Sequence, residues 1–242
     1  MDTQSLARVV VLALGIVAGG WAAGQGFVRA RLGDRFVTVK GISEREVTAD
    51  LAIWPLRLVA ADNDLARAQA RMQSNVEEIF RFLARHRIDT AQVTLQSFEV
   101  VDAPANEYRA PGGSANRYII RQAVVVRSDA PALVQAASQR VGELVNAGVV
   151  LSSGTEYGSG GPTYVFRGLN DLKPEMIAEA TARAREAAER FAADSRTSLG
   201  GIRRGNQGVF EILPRDQAQG ITEGSQIGKV VRVVTTVDYI LR

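Results

Sequence analysis

From Val9 to Val28 the chain reads VVVLALGIVAGGWAAGQGFV, with Gln25 its one strongly polar residue and no charge. A run of about 20 apolar residues is what a helix needs to cross a bilayer. The pattern therefore predicts a transmembrane or signal helix, with Val9, Leu12, Leu14, Ile16, Val17 and Trp21 as the anchoring residues. Trp21 suits the interface between lipid and water. The core from Val9 to Ala18 also has signal-peptide length, and Ala18, Gly20, Ala22 and Ala23 are small enough to flank a cleavage site. Arg8 precedes the segment, whereas Arg29, Arg31 and Arg35 follow it. Taken alone, that distribution would leave the following domain in the cytoplasm.

Beyond the segment the period changes. Phe36 to Gly41 alternates as a strand, Ser43 to Arg45 reads as a turn, and Val47 to Ala60 resumes the β pattern, with Pro55 marking a bulge or an edge. Asp62 and Asn63 are capping residues for a helix. Its apolar stripe is Leu65, Ala68, Met72, Val76, Ile79, Phe80 and Leu83, and it ends near His86. Strands follow at Val93–Asp102 and Arg117–Arg127, separated by the Pro-, Gly- and Asn-rich loop from Ala103 to Asn116. In that loop Asn106, Tyr108 and Arg109 are candidate partner contacts. A second helix is predicted from Asp129, through Pro131, to Gly148. Short strands at Val149–Ser153 and Thr163–Arg167 flank a Gly-rich turn. A third helix begins at Asn170 or Asp171, carries Met176, Ala180, Ala184, Ala187 and Phe191 on one side, and stops at Gly200–Gly201. Ile202–Leu213 and Val230–Leu241 complete the strands.

The sum is an α+β fold with mainly antiparallel sheets. Three helices are expected on one side, in two β-α-β-β-like units, after the N-terminal transmembrane or signal helix. The boundaries predicted are a tail over 1–8, the anchor or signal over 9–28, a linker over 29–35 and an α+β domain over 36–242.

Composition narrows the chemistry. With 29 basic and 26 acidic residues the net charge is +3, and no basic patch stands out, so a nucleic-acid partner is not expected. The absence of Cys removes disulfides, thiolate metal sites and thiol nucleophiles. A single His, His86, reads as an exposed helix-end residue and cannot build a multi-His metal site within one chain. The Gly154–Pro162 turn lacks the Lys-Ser/Thr of a P-loop. The carboxylates Asp50, Glu99, Asp102, Glu107 and Glu156 show no spacing that pairs an acid with a base. No catalytic residue, metal ligand or cofactor is therefore expected.

Several segments carry a family resemblance. They are Val39-Lys40-Gly41, Val47-Thr48-Ala49-Asp50, Asn75-Val76, Val93-Thr94 and Tyr118. They continue with Tyr164-Val-Phe-Arg-Gly-Leu-Asn170, Ala178 to Arg185, Ala188-Glu189 and Leu199-Gly200. Together they make the stretch from about Phe36 to Leu241 resemble the SIMPL-domain family, formerly a domain of unknown function. Ala49 departs from that family's usual Pro. The resemblance implies a bacterial envelope protein, exported or periplasmic, in a family where some members form ring-like or channel-like homo-oligomers and are linked to oxidative stress. It outweighs the arginine distribution and places the domain in the periplasm, either tethered by a single pass of the inner membrane or released after signal cleavage. The expected partners are the membrane through the N-terminal helix, further copies of the chain, and an envelope protein. The expected role is a self-associating structural, assembly or stress-related protein without enzymatic activity. The alternative is a binding module for a small ligand, lipid or envelope protein on the sheet face opposite the helices.

Overall fold

A computed structural model describes residues 14–22, 24–25, 35–105, 116–152 and 160–242. Residues 14–22 and 24–25 are helical. Then follow strands β1 (Phe36–Thr48) and β2 (Leu51–Asp62), helix α1 (Leu65–Arg85), and strands β3 (Thr94–Asp102) and β4 (Tyr118–Ser128). Helices α2 (Pro131–Ser138) and α3 (Gly142–Asn146), strand β5 (Thr163–Val165) and helix α4 (Leu169–Asp194) come next. Strands β6 (Leu199–Gln207), β7 (Glu211–Pro214) and β8 (Gly228–Leu241) close the chain. The fold is α+β, with two four-stranded sheets, and every strand pair of known register is antiparallel.

The chain folds as two compact units that interleave in sequence. The first comprises Met1–Ser43, Glu175–Val209 and Val233–Arg242; the second comprises Glu44–Pro174 and Phe210–Arg232. In the second unit the sheet order is β3-β4-β2-β5. Ala52, Trp54, Leu56, Leu58 and Ala60 alternate along β2 and are all buried. They lie opposite Ser128, Val126, Val124, Gln122 and Ile120 of β4. Against this face α1 packs Ala68, Met72, Ile79, Phe82 and Leu83, while α2 adds Val134 and Ala137 and α3 adds Leu144. Trp54 meets Phe82 edge-on, with ring centroids 6.3 Å apart. Burying each of these larger side chains stabilises the unit by roughly 1.5–3 kcal/mol.

Pro55 sits in regular register opposite Val125, without a bulge. The backbones of Arg57 and Val59 bond Ser152 and Val150, on the side of β2 away from β4. By the two-residue period, the missing N–H of Pro55 faces that same side. There β5 has already ended opposite Ile53, so no ladder bond is lost.

The start of α1 is built differently from the sequence expectation. Asp64, not Asp62 or Asn63, is the N-cap, and its carboxylate accepts from Arg67 N at 3.0 Å. Asp62 instead accepts from Asp64 N at 3.0 Å and from the Arg67 guanidinium. The backbone N–H of Asp64, then the Arg67 side chain, hold the Asp62 carboxyl below the usual carboxylate range. Because its folded pKa is depressed, its stabilising contribution is complete above the unfolded carboxylate's pKa and is lost as pH falls through the folded value. Asp62→Asn should therefore be less stable than the parent at neutral pH. In urea titrations the gap should close as pH drops from about 6 to about 2.

In the first unit β8 lies between β1 and β6. Helix α4 buries Met176, Ala180, Ala184, Ala188 and Ala192, an i, i+4 stripe. Ala187 and Phe191, expected on that side, are exposed. Ala184 and Ala188 pack with Val37, Val237 and Tyr239 in one apolar cluster. The close approach is set by Gly41: a Cβ there would fall 1.8 Å from Ala180 O and 2.6 Å from Ala184 N.

Other expectations are corrected by local bonding. The turn predicted at Ser43–Arg45 is absent because β1 continues through it; Ser43 is buried and its hydroxyl donates to Glu179 Oε2 at 2.8 Å. The helix expected from Asp129 to Gly148 is two helices. Ser138 Oγ donates to Gln135 O at 2.8 Å, and Arg140 N and Val141 N bond carbonyls three residues back, which tightens the chain between them. Its N-cap is Ala130 rather than Asp129. The strand expected at Val149–Ser153 is, among the described residues, one bridge between Leu151 and Leu58. Helix α4 ends at Asp194, and Gly200–Gly201 belong to β6. The strand expected over Ile202–Leu213 is interrupted at Gly208, whose N–H donates to Val234 O at 2.9 Å. The helix count thus exceeds the expected three. The set on the β3-β4-β2-β5 sheet is α1, α2 and α3, while α4 from Glu175 onward belongs to the first unit.

Candidate functional site

The face of the β3-β4-β2-β5 sheet opposite its helices is where the second unit presents chemistry. On β2 it carries Ile53, Pro55, Arg57, Val59 and Ala61; opposite them on β4 stand Arg127, Val125, Ala123, Arg121 and Ile119. Arg57 faces Ala123 and Val59 faces Arg121, so the two arginines are diagonal neighbours with Val59 and Ala123 beside them. Next to β4, strand β3 holds an extra residue between Gln96 and Glu99, and Ser97 there has φ +52. A non-glycine residue in that region costs of order 1–3 kcal/mol and marks a bulge that redirects side chains. A cleft of about 340 Å³ opens at this point, lined by Arg57, Val59, Ser97, Glu99, Arg121 and Ser152 among others. Glu99 Oε2 lies 3.4 Å from Arg121 Nη1, and both side chains are more than half exposed. Such a pair is worth little. Among the described residues the Arg57 guanidinium and the hydroxyls of Ser97 and Ser152 make no hydrogen bond.

Among the described residues the candidate carboxylates Asp50, Glu99 and Asp102 are not brought together. Asp50 accepts from Arg167 N and Nε, both at 3.1 Å, and Arg167 Nη2 reaches Asp129 Oδ1 at 2.9 Å. This cluster ties the β1–β2 turn to the ends of β4 and β5, and the Asp50 carboxylate keeps the Arg167 guanidinium protonated above its ordinary range. Asp102 pairs with Arg117 at 3.1 Å. Glu107 and Glu156 lie outside the described residues. Among the described residues no group of three His, Asp or Glu side chains converges on a metal-sized site. His86 is not an exposed helix end: its ring is 4.4 Å from that of Phe82, and Nε2 is 3.3 Å from Glu143 Oε2. Sequence reasoning missed Lys229, whose side chain is fully buried with Nζ donating to Glu223 O at 2.6 Å and pairing with the Glu223 carboxylate. Only its odd position in the alternation of β8, among Val231 and Val233, signals it.

Among the described residues each unit also presents a strand at the end of its sheet with no partner on its outer edge. In β3 every residue from Thr94 to Val100 is exposed, including Leu95, Phe98 and Val100. In β6 every residue from Gly201 to Gln207 is exposed, including Ile202. Of the anchoring residues, Val9 and Leu12 lie outside the described residues, as do Asn106, Tyr108 and Arg109 of the candidate contact loop. Leu14, Ile16, Val17 and Trp21 lie on helical residues and are all exposed, at 63 to 71%. Among the described residues no helix is long and apolar enough to cross a membrane.

The profile of the SIMPL family, described as a protein of unknown function (DUF541), matches residues 37–235. The chain belongs to the SIMPL family. No curated protein matches it. Several segments that carried the SIMPL resemblance turn out to be structural partners. Asp50 of Val47-Thr48-Ala49-Asp50 bonds Arg167 of Tyr164-Val-Phe-Arg. Gly41 of Val39-Lys40-Gly41 receives the alanines of Ala178 to Arg185.

Proposed function

We propose that this SIMPL protein is a non-enzymatic envelope protein that is held at the bacterial inner membrane by residues 9–28, exposes its α+β domain to the periplasm, and self-associates. The reading of residues 9–28 rests on their length and apolarity, and the exposure of Leu14, Ile16, Val17 and Trp21 fits a segment without a seat in the folded core. The observation that carries self-association is the exposure of β3 from Thr94 to Val100 and of β6 from Gly201 to Gln207. Strands with both faces in water and an open row of N–H and C=O groups gain most from pairing with another chain. Leu95, Phe98, Val100 and Ile202 add apolar area to such a contact.

The test is the mass of the full chain in neutral detergent, by light scattering on a sizing column. A discrete multiple of 26.1 kDa supports the reading, and a strict monomer overturns it. Phe98→Lys with Ile202→Lys should lower the mass without lowering thermal stability, since both side chains are about half exposed. The mass of the purified N-terminus separates the tethered protein from a periplasmic one released by cleavage. A second reading, a binding module on the open sheet face, is favoured by the cleft at Arg57 and Arg121.

A further inference from the structure

The cleft beside Arg57 holds more donors than the described residues occupy. Arg57 and Arg121 stand diagonally across β2 and β4, and Ser97 and Ser152 line the same cleft. Among the described residues the one carboxylate in the lining is Glu99, which makes a solvent-exposed contact with Arg121. Arg127, opposite Ile53, adds a further cation to the same face. The site therefore carries net positive charge beside an apolar floor of Val59 and Ala123.

The donor set selects among anions. A carboxylate is planar and is satisfied by one guanidinium fork. Two forks and two hydroxyls match a tetrahedral group with three terminal oxygens and a charge of roughly −1.5 to −2. The Glu99–Arg121 contact is weak enough for a dianion to displace.

We propose that Arg57 and Arg121, with Ser97 and Ser152, bind a phosphate monoester whose organic part rests on Val59 and Ala123. This rests on the reading of the open face as a binding surface and names its ligand class. The same group occurs on soluble phosphate esters and on lipid headgroups, and the test separates them.

The full chain in neutral detergent is modified with phenylglyoxal, and the rate at each arginine is read by peptide mass spectrometry. Glycerol 3-phosphate, micelles doped with phosphatidic acid, and succinate are compared with chloride at equal ionic strength. Modification of Arg57 and Arg121 is expected to slow about fivefold at four-fifths occupancy. The exposed arginines Arg81 and Arg190 should not change. Protection by glycerol 3-phosphate assigns a soluble ester, and protection by phosphatidic acid alone assigns a lipid headgroup. Arg57→Gln should abolish protection at Arg121, and Ser97→Ala should weaken it. Protection by succinate alone overturns the phosphate assignment and keeps the binding surface. No protection by any anion, equal slowing at Arg81 and Arg190, or full protection in Arg57→Gln overturns both.

Discussion

Gly41→Ala is expected to destabilise the protein by roughly 3–5 kcal/mol, among the largest effects of any single substitution. The added Cβ would lie 1.8 Å from Ala180 O and 2.6 Å from Ala184 N, and both are backbone atoms of α4. A flexible side chain can swing aside, but a helix backbone moves only with its whole buried stripe from Met176 to Ala192. The cost therefore includes lost contacts at Ala184, Ala188 and their neighbours Val37 and Tyr239. In a thermal scan the midpoint should fall by roughly 6–20 °C, at about 2–4 °C per kcal/mol for a domain of this size. Gly205→Ala is the control. It lies in β6, nothing stands within 4 Å of its added Cβ, and it should be neutral or slightly stabilising. Equal losses at the two glycines would show that the Gly41 contact is not what limits stability.

Lys229 yields the second large effect, in an asymmetric form. Its side chain is fully buried, whereas that of Glu223 is 39% exposed. Removing the carboxylate with Glu223→Ala leaves a buried ammonium that, among the described residues, is held by a carbonyl oxygen alone. Breaking a buried pair from one side costs about 3–5 kcal/mol, and the partial exposure of Glu223 lowers the expectation to about 2–3 kcal/mol. Replacing the cation itself with Lys229→Met removes the desolvation cost along with the pair, and should be neutral or stabilising. The double variant should recover most of the loss seen in Glu223→Ala. Urea midpoints of the parent, the two single variants and the double variant complete the cycle. If Lys229→Met costs as much as Glu223→Ala, the pair is a net source of stability and the asymmetry is refuted.

The periodicity of the chain was informative where burial is one-sided. The stripe Ala68, Met72, Ile79 and Leu83 was legible because a helix turns one face to a core, whereas the alternation of Val47 to Ala60 did not single out the even residues from Ala52 to Ala60 that the sheet buries. The sequence put Ala180 and Ala184 on the buried side of α4, yet the stripe proved to continue through Ala188 and Ala192 rather than through Ala187 and Phe191. A row of small residues has too little contrast in hydrophobicity to fix its phase. Ser43 looked like a turn residue because short polar side chains favour turns in isolation. Its hydroxyl is satisfied by Glu179, 136 positions away, and the strand continues.

The candidate site was the least legible part. Arg57 and Arg121 are 64 positions apart, and only the register of β2 on β4 makes them diagonal neighbours. The same holds for Asp50, Arg167 and Asp129, which read singly as a candidate acid, a strand end and a helix cap. By itself the sequence determined the apolar character of Val9–Val28, the α+β class, the exclusion of thiol chemistry and the SIMPL resemblance, all properties of local composition and period. The tertiary structure decided the interleaved units, the exposed edges of β3 and β6, the seat of Lys229 and the convergence of arginines on one cleft. The reason is physical: pairing register and helix–sheet contact are set by long-range packing, in which each residue's partner lies far outside any local window.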